Sequence, residues 1–291
     1  MNLEELQTFI KLCEIKNFTK TAELLTMSQP TVSLHIKNLE QQFQSQLIQR
    51  STKQISITPT GEILLDQAKQ IIQLYEQTKQ QILEHHHTIQ GDLTIGASFT
   101  IGEYILPTLL IKLKSQHPNL SLQISIGNTE EIVAAVKKFQ VDIGLIEGAT
   151  NEKSLIIQPF MKDELVVIAS KEHPLAKKKQ LHVSDLQNED WVSRELGSGT
   201  QANLMHFLHA NGLKVNSMLT ISSNQGIKQS VINGLGISLL SKHVVERDHA
   251  NGDIAILQLD TPPLFRTLSY IYSSIMLKKG NVKTFLDILT T

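Results

Sequence analysis

Two groups of residues in this 291-residue chain are of a type and spacing that could do chemistry. The first is a row of small polar and cationic side chains, Ser28, Gln29, Thr31, Ser33 and Lys37, close to the N-terminus. Amides and hydroxyls in such a row can exchange hydrogen bonds with base edges in a DNA groove, and a lysine neutralises phosphate. The second is a pair of polar loops, Ser98-Phe99-Thr100 and Ser193-Arg194-Glu195-Leu196-Gly197-Ser198-Gly199-Thr200, each falling between a strand pattern and a helix pattern. Hydroxyls and N–H groups at a helix N-terminus can cradle an anion. The Gly-Ser-Gly-Thr tetrapeptide on its own reads as a capped turn, and only its pairing with the first loop turns the reading toward ligand binding.

The first group needs a scaffold of helices. Leu3, Leu6, Ile10 and Cys13 recur at steps of three and four, which predicts a helix from Leu3 to Ile15 with Phe9 also inward. Asn17 and Thr19 supply stop and start chemistry for a second helix through about Leu25. Ser28 is placed to cap a third, with Pro30 in the first turn, where a missing N–H is tolerated. Val32, Ile36, Leu39 and Phe43 form the expected buried stripe of that helix, and the opposite face carries Gln29, Thr31, Ser33, His35 and Lys37. Gln29 and Ser33 are the expected base contacts, with Thr31 and Lys37 reaching base or backbone. Leu47–Arg50 and Gln54–Thr58 then read as strands around the tip Ser51-Thr52-Lys53. Such a wing would lay Arg50 and Lys53 on phosphates, although Arg50 suits a structural tie equally well. From Ser28 to Thr58 the formal charge is only +2, a weak footprint that a dimer would double.

Residues 1 to 90 resemble the winged helix-turn-helix domain and linker helix of the LysR-type transcriptional regulators. The residues that carry the likeness are Phe9, Phe18, Ala22, Leu25, Ser28-Gln29-Pro30, Val32-Ser33, Ile36, Leu39-Glu40, Leu47, Arg50 and Thr58-Pro59-Thr60-Gly61-Glu62. The chain departs from the pattern at Thr31, where Ala is common, at Gln44, where Gly usually ends the helix, and at Ile48, where Phe is usual. Those departures leave the preferred half-site open. Thr58 and Pro59 open a helix that runs to about His87, roughly 45 Å long. Within it Leu64, Ala68, Ile71, Tyr75, Thr78 and Ile82 step as a heptad seam. A two-helix coiled coil is the simplest use of the seam, and in the family this helix pairs two subunits. Ile63, Leu65, Ile72, Leu74 and Leu83 widen the apolar face, which would also suit packing on the chain's own C-terminal part. Paired heads imply a homodimer or homotetramer on a pseudo-palindromic site in double-stranded DNA. The triplet His85-His86-His87 has no neighbouring carboxylate or cysteine cluster in sequence and reads as a solvated helix end rather than a metal site.

Beyond Gly91 strands and helices alternate. Strands are expected at Leu93–Ser98, Leu120–Ile126 and Val141–Ile146, with helices at Gly102–Ser115 and Glu130–Phe139. Leu165–Ser170 starts a second series, with strands at 191–193, 218–222 and 237–240 and helices at 201–211 and 225–233. A strand at 267–273 and a helix at 282–289 return to the first series. The alternation predicts an α/β unit in two halves behind the N-terminal winged helix-turn-helix and long linker helix, and the resemblance to the LysR-type regulators implies that it is their two-lobed, periplasmic-binding-protein-like effector domain. The expected divisions are 1–58, 59–90, a first lobe of 91–162 with 266–291, and a second lobe of 163–265. Val141-Asp142-Ile143-Gly144-Leu145 and Gly234-Leu235-Gly236-Ile237-Ser238-Leu239-Leu240 resemble the family's effector domain, with Ser241 where Pro is frequent.

Ligands of open α/β folds settle between the halves at strand ends. The expected effector contacts are Ser98, Phe99, Thr100, Asn128, Thr129, Glu147, Arg194, Ser198, Gly199, Thr200 and Asn224, the last serving either as a helix cap or in the cleft. Arg194 favours a carboxylate, phosphate or sulfur oxyanion, while Glu147 and Glu195 oppose one. The Arg-Glu-x-Gly-Ser-Gly-Thr loop resembles regulators of sulfur assimilation and carbon fixation.

Composition sets the outer bounds. A net charge of −1 and 41% hydrophobic residues describe an ordinary globular chain. The acidic start and the lack of a long apolar run predict a cytoplasmic protein without a secretory signal or membrane partner. A single cysteine, Cys13, leaves no internal disulfide, and a small core residue is favoured there over a redox sensor. Zinc-ligand, phosphate-loop, dinucleotide and nucleophile-elbow motifs are missing from the sequence, so neither catalysis nor a cofactor or metal is expected. The expected function is sequence-specific regulation of transcription, with RNA polymerase as a further partner and a small, anionic effector changing the oligomer geometry on DNA. The alternative is a cytoplasmic small-molecule-binding protein, or an α/β enzyme acting on a small anion.

Overall fold

Local capping chemistry sets most of the N-terminal elements. The computed structural model describes residues 2–50, 55–84 and 91–290, which divide into two units, residues 1–86 and 87–291. In the first unit, α1 (Leu3–Ile15) opens with a reciprocal cap: Asn2 accepts from the Glu5 N–H at 2.7 Å, and Glu5 accepts from the Asn2 N–H at 2.9 Å. Asn17 caps α2 (Phe18–Leu24) by accepting from the Lys20 N–H, so Thr19 lies inside the helix instead of starting it. Ser28 caps α3 (Gln29–Gln42) as expected, its Oγ accepting from the Thr31 N–H at 3.2 Å. Val32, Ile36 and Leu39 are fully buried, the last two in one core with Leu6, Phe9 and Leu12. Phe43 does not complete the stripe and stays 43% exposed, because α3 ends at Gln42 and Gln44 turns the chain away with a φ of 48°.

Two short strands, β1 (Ile48–Arg50) and β2 (Ile55–Ile57), pair antiparallel with Ile48 opposite Ile57. Their root is fastened by Glu40, which accepts from the N–H groups of Leu47 and Ile48 at 2.9 and 3.2 Å. The wing tip Ser51-Thr52-Lys53, with the expected contact Lys53, and the Arg50 side chain lie outside the described residues. Thr58 accepts from the Gly61 N–H at 3.0 Å at the start of α4 (Pro59–Glu84). Gly61 is required there, since a Cβ would overlap the Leu47 carbonyl. Leu64 and Ala68, the first two seam positions of α4, are buried in the core of this unit, whereas Ile71, Tyr75 and Ile82 are exposed. The seam therefore splits into a part spent inside the head and a part left open. The histidine triplet lies outside the described residues.

The second unit is built on a seven-stranded mixed sheet and a smaller parallel pair of strands. Its elements are β3 (Gly91–Ser98), α5 (Leu106–Gln116), β4 (Leu120–Gly127), α6 (Thr129–Lys137), β5 (Ile143–Glu147) and β6 (Ile156–Ser170). There follow β7 (Asp190–Ser193), α7 (Gly199–Ala210), β8 (Ser217–Thr220), α8 (Asn224–Ile232), β9 (Ser238–Ser241), α9 (Lys242–Ala250), β10 (Ile254–Ile256), β11 (Leu264–Tyr272) and α10 (Gly280–Leu289). The strand order of the larger sheet is β10-β6-β11-β5-β3-β4, with β9 also paired to β6, and the parallel pair, β7 with β8, lies in the second lobe. β3 runs parallel to β4 and β5, while β11 runs antiparallel to β5 and β6. One apolar core gathers Leu93, Ile95, Leu145 and Phe285, and a second gathers Leu165, Val167, Trp191 and Leu239. These are the two lobes.

Three sequence expectations change here. The strand expected to begin at Leu165 is the distal half of the 15-residue β6, which carries the sheet from one lobe to the other. The helix expected from Gly102 begins instead as a π-helical turn, Ile101–Ile105, before α5. Pro107 has no N–H for the carbonyl four residues back, and the chain takes the wider turn in which the Leu106 N–H reaches the Ile101 carbonyl. Third, α9 and β10 were not expected, since α9 carries few apolar residues and β10 is only three residues long.

Gln44 holds a left-handed conformation that costs an L-residue about 1 kcal/mol. Gln44→Gly should raise the stability of the N-terminal unit by about 0.5 to 1 kcal/mol, read as an increase in the urea midpoint at unchanged slope. A lower midpoint would show that the Gln44 side chain contributes more than its backbone costs.

Candidate functional site

The polar row on α3 is ordered by its own hydrogen bonds. Ser28, Gln29 and Lys37 are exposed, while Thr31 and Ser33 are half-buried. Gln29 Nε2 donates to Ser33 Oγ at 3.0 Å, and the Ser28 and Thr31 hydroxyls lie 2.7 Å apart. Neighbours three and four apart on a helix are thus tied in pairs, which limits the rotamers they present outward. His35 does not belong to this face. It is buried, with its Nδ1 2.9 Å from Thr8 Oγ1, and so joins α3 to α1. Asn38 does the same by donating to Glu5 at 2.8 Å. Leu34, 54% exposed, belongs to the outward face and was not among the expected contacts. Its position out of phase with Val32, Ile36 and Leu39 could have revealed it, and an apolar side chain there suits a thymine methyl. Cys13 is buried, and burial pushes its thiol up to about 12, which leaves little thiolate to react.

In the second unit the two polar loops converge on one carboxylate. Glu147, at the end of β5 and 2% exposed, accepts from the Thr100 N–H at 2.7 Å, the Thr200 hydroxyl at 3.0 Å and Arg266 Nη1 at 2.7 Å. Arg266 also donates through Nε to Asp163 at 2.7 Å and contacts the hydroxyls of Thr200 and Thr100 at 2.8 and 3.2 Å. Asp163 accepts in addition from the Ser241 hydroxyl at 2.6 Å. Arg266 and Asp163 face each other in register on β11 and β6, where those strands pass between the lobes. Neither was among the expected site residues, because a strand arginine 103 positions from its partner leaves no local signal. Burial pushes the Glu147 carboxyl up, but Arg266 and the donors on Thr100 and Thr200 outweigh it and hold the group below its ordinary value.

The other expected contacts divide by role. Thr129 donates to the Glu147 carbonyl at 3.0 Å, and Gly199 packs on that same carbonyl so closely that a Cβ would overlap it. Ser98 donates inward to the Leu145 carbonyl, Asn128 caps α6, and Ser198 caps α7. Arg194 stacks over Phe99 at 4.4 Å from the ring centroid and is held in a fork by Glu195 at 2.8 and 2.9 Å. Arg194 also donates to Asn224 Oδ1 at 3.0 Å, whereas Asn224 Nδ2, fully buried, has no partner among the described residues. Asn224 therefore does not cap α8, a role taken by Ser223. Next to Glu147 lies a cavity of about 360 Å³ lined by Thr129, Glu130, Leu196, Ser198 and Gln201. Leu196 at its rim is 82% exposed. Among the described residues, no group of three or more His, Cys, Asp or Glu could hold a metal ion, and no helix is long and apolar enough to cross a membrane.

A capped recognition helix with a hairpin behind it, followed by two α/β lobes bridged by crossing strands, is what the family comparison matches. The model of the bacterial regulatory helix-turn-helix protein, LysR family, covers residues 3–62, and that of the LysR substrate binding domain covers residues 86–291. The chain belongs to the LysR family of transcriptional regulators. It is 54% identical to the HTH-type transcriptional regulator CysL of Bacillus subtilis, over 99% of this chain and 97% of that protein. A variant of full-length OxyR from Pseudomonas aeruginosa superposes with a TM-score of 0.78 at 24% identity, over 99% of this chain and 94% of that one. The regulatory domain of CcmR from Synechocystis, solved with 2-PG, superposes with a TM-score of 0.62 at 31% identity, over 69% of this chain and 96% of that one. The LysR relatives are regulators, and the enzyme alternative is set aside.

Because the folded Glu147 carboxyl lies below its unfolded value of 4.5, it contributes stability above that pH, and the contribution is lost as the pH falls through the folded value. Glu147→Gln should therefore flatten the acid side of the stability profile below about pH 4.5, measured by denaturant melts across pH. Arg266→Met should cost about 3 to 5 kcal/mol, because it leaves two buried carboxylates facing each other. Profiles that coincide with wild type would remove this cluster from the energetics of the interlobe crossing.

Proposed function

We propose that this LysR-family regulator reads a pseudo-palindromic promoter site through α3 and responds to a small anionic effector in the cleft between its lobes. The observation that carries the effector half is the meeting of Thr100 and Thr200, from opposite lobes, on a single carboxylate. Donors arranged to hold one carboxylate suit oxyanions in general. On the DNA side, Gln29 and Ser33 read base edges, Thr31 and Lys37 contact base or backbone, and Ser28, Arg50 and Lys53 hold phosphates. The apolar positions left exposed on α4, Ile71, Tyr75 and Ile82, support pairing of two such helices into a homodimer. Dimers joining into a tetramer would space the heads on DNA, and an effector that favours one lobe arrangement would shift that spacing and the access of RNA polymerase.

Kinship with CysL at 54% identity supports a sulfur oxyanion as the effector. The CcmR regulatory domain, 31% identical and solved with 2-PG, supports a small-molecule effector for this domain. Expected contacts are Ser98, Phe99, Thr100, Asn128, Thr129, Arg194, Ser198, Gly199, Thr200 and Asn224 around Glu147.

Fluorescence anisotropy of the full-length protein on DNA from upstream of its own gene, with random DNA as control, tests the reading. Gln29→Ala or Ser33→Ala should weaken specific binding by about 1 to 3 kcal/mol and leave random DNA unaffected. Equal losses on both DNAs would remove these residues from base readout. Sulfite, sulfate, thiosulfate and 2-PG added to the cognate complex should include one that changes its affinity or footprint, and Thr100→Ala or Thr200→Ala should blunt that response. Indifference to all four would refute the anionic effector.

A further inference from the structure

The donor set of the cleft is already filled by a carboxylate of the chain itself. Glu147 Oε1 takes the Thr100 N–H, and Oε2 takes the Thr200 hydroxyl and Arg266. Each of these three donors stands on a different part of the unit: the helical turn that directly follows β3, the first turn of α7 and the crossing strand β11. Arg266 and Asp163 form a neutral buried pair without Glu147, since Arg266 Nε meets Asp163 at 2.7 Å and both are almost fully buried. The Glu147 charge is surplus to that pair. It leaves the buried cluster with one uncompensated negative charge, which is costly away from water unless donors solvate it. Two of those donors, Thr100 and Thr200, belong to opposite lobes, so a carboxylate here rewards one particular arrangement of the lobes. The cavity of about 360 Å³ is bordered by Glu147, by Thr129 and Glu130 of the first lobe and by Ser198 and Gly199 beside Thr200 in the second.

We propose that Glu147 is a tethered anion, which occupies in this state the donors that a free oxyanion would use and must leave them before that oxyanion binds. This rests on the cleft being the effector site. The tether acts as an internal competitor. Free anions bind only the fraction of molecules in which Glu147 has swung away, which lowers their apparent affinity by that fraction. The same competition couples effector binding to lobe geometry, because displacing Glu147 releases the contacts it makes to Thr100 and Thr200 together.

The test uses full-length wild type, Glu147→Ala and Glu147→Gln, with sodium acetate as a free copy of the missing carboxylate. Acetate replaces chloride at constant ionic strength, and the melting temperature and calorimetric binding are followed. Glu147→Ala should melt below wild type and regain stability saturably with acetate, with a half-saturating concentration about ten- to a hundredfold below that of wild type. Glu147→Gln keeps the side-chain volume and leaves a neutral Asp163–Arg266 pair, so it stays folded even if the alanine variant does not. Its acetate affinity should fall between the other two, because a neutral amide is the weaker competitor. If acetate binds the folded variants no more tightly than wild type, Glu147 is a structural ion-pair member and the proposal is overturned. The two readings fail separately. Tighter acetate binding in the variants with wild-type DNA binding indifferent to every oxyanion would sink the anionic effector and leave the tether standing, while an oxyanion response in wild type without any gain in the variants would do the reverse.

Discussion

The second unit depends on one buried guanidinium. Arg266 sits where β6 and β11 pass between the lobes, and it donates to Asp163, Glu147, Thr200 and Thr100. A cation removed from water to this degree is tolerable only if its donors are nearly all met, and here they are met by residues from both lobes and by Asp163 on the neighbouring crossing strand. The relative placement of the polar loops then follows. The helical turn after β3 and the first turn of α7 are drawn to the same few ångströms because the same charge cluster uses them both. Gly199 completes the arrangement by letting α7 approach the Glu147 carbonyl without a side chain between them.

The N-terminal unit solves a different problem, which is to hold one helix face outward with few residues. Its core is drawn from α1, α3, the wing root and the first turns of α4, with Leu64 and Ala68 closing it. Polar ties do the positioning around that core: Thr8 to His35, Asn38 to Glu5 and Glu40 to the wing root. Each spends on structure a polar side chain of a kind that is otherwise suited to DNA. Glu40, the acidic residue that weakened the local charge balance, is engaged with backbone N–H groups. Farther along α4, Ile71, Leu74, Tyr75 and Ile82 are exposed, while Leu65 and Ile72 pack against the same core.

Much of this was legible because it is written in local chemistry. The Ser28 cap, the Pro30 position, the Val32-Ile36-Leu39 stripe and the alternation of strands and helices after Gly91 all depend on neighbours within about four residues, which a sequence displays directly, as does the reciprocal Asn2–Glu5 cap, which was not among the expected features. The misreadings share the opposite property. His35 lies one step from the apolar stripe and is polar, so its burial depends on Thr8, 27 residues away. Phe43 fits the helical period, yet a left-handed Gln44 removes it from the helix. The π-turn at Ile101–Ile105 requires knowing how Pro107 is accommodated.

The cleft marks the boundary between the two kinds of information. Ser98-Phe99-Thr100 and the Arg194 to Thr200 loop are recognisable from residue type and position alone, because a polar turn between strand and helix has few other uses than capping or binding. Which of their groups remain available is a matter of long-range electrostatics. Arg194 is neutralised by its neighbour Glu195, and Thr100 and Thr200 are claimed by Glu147 through a network whose anchor, Arg266, is 119 residues from Glu147 in the chain. By itself, then, the sequence determined the capped reading helix, the alternating α/β order and the positions of the polar loops, all of which follow from short-range periodicity and hydrogen bonding. Only the tertiary structure decided that a buried arginine and two distant carboxylates bind those loops together, since burial turns a charge that water would screen into a constraint that every nearby donor and acceptor must satisfy.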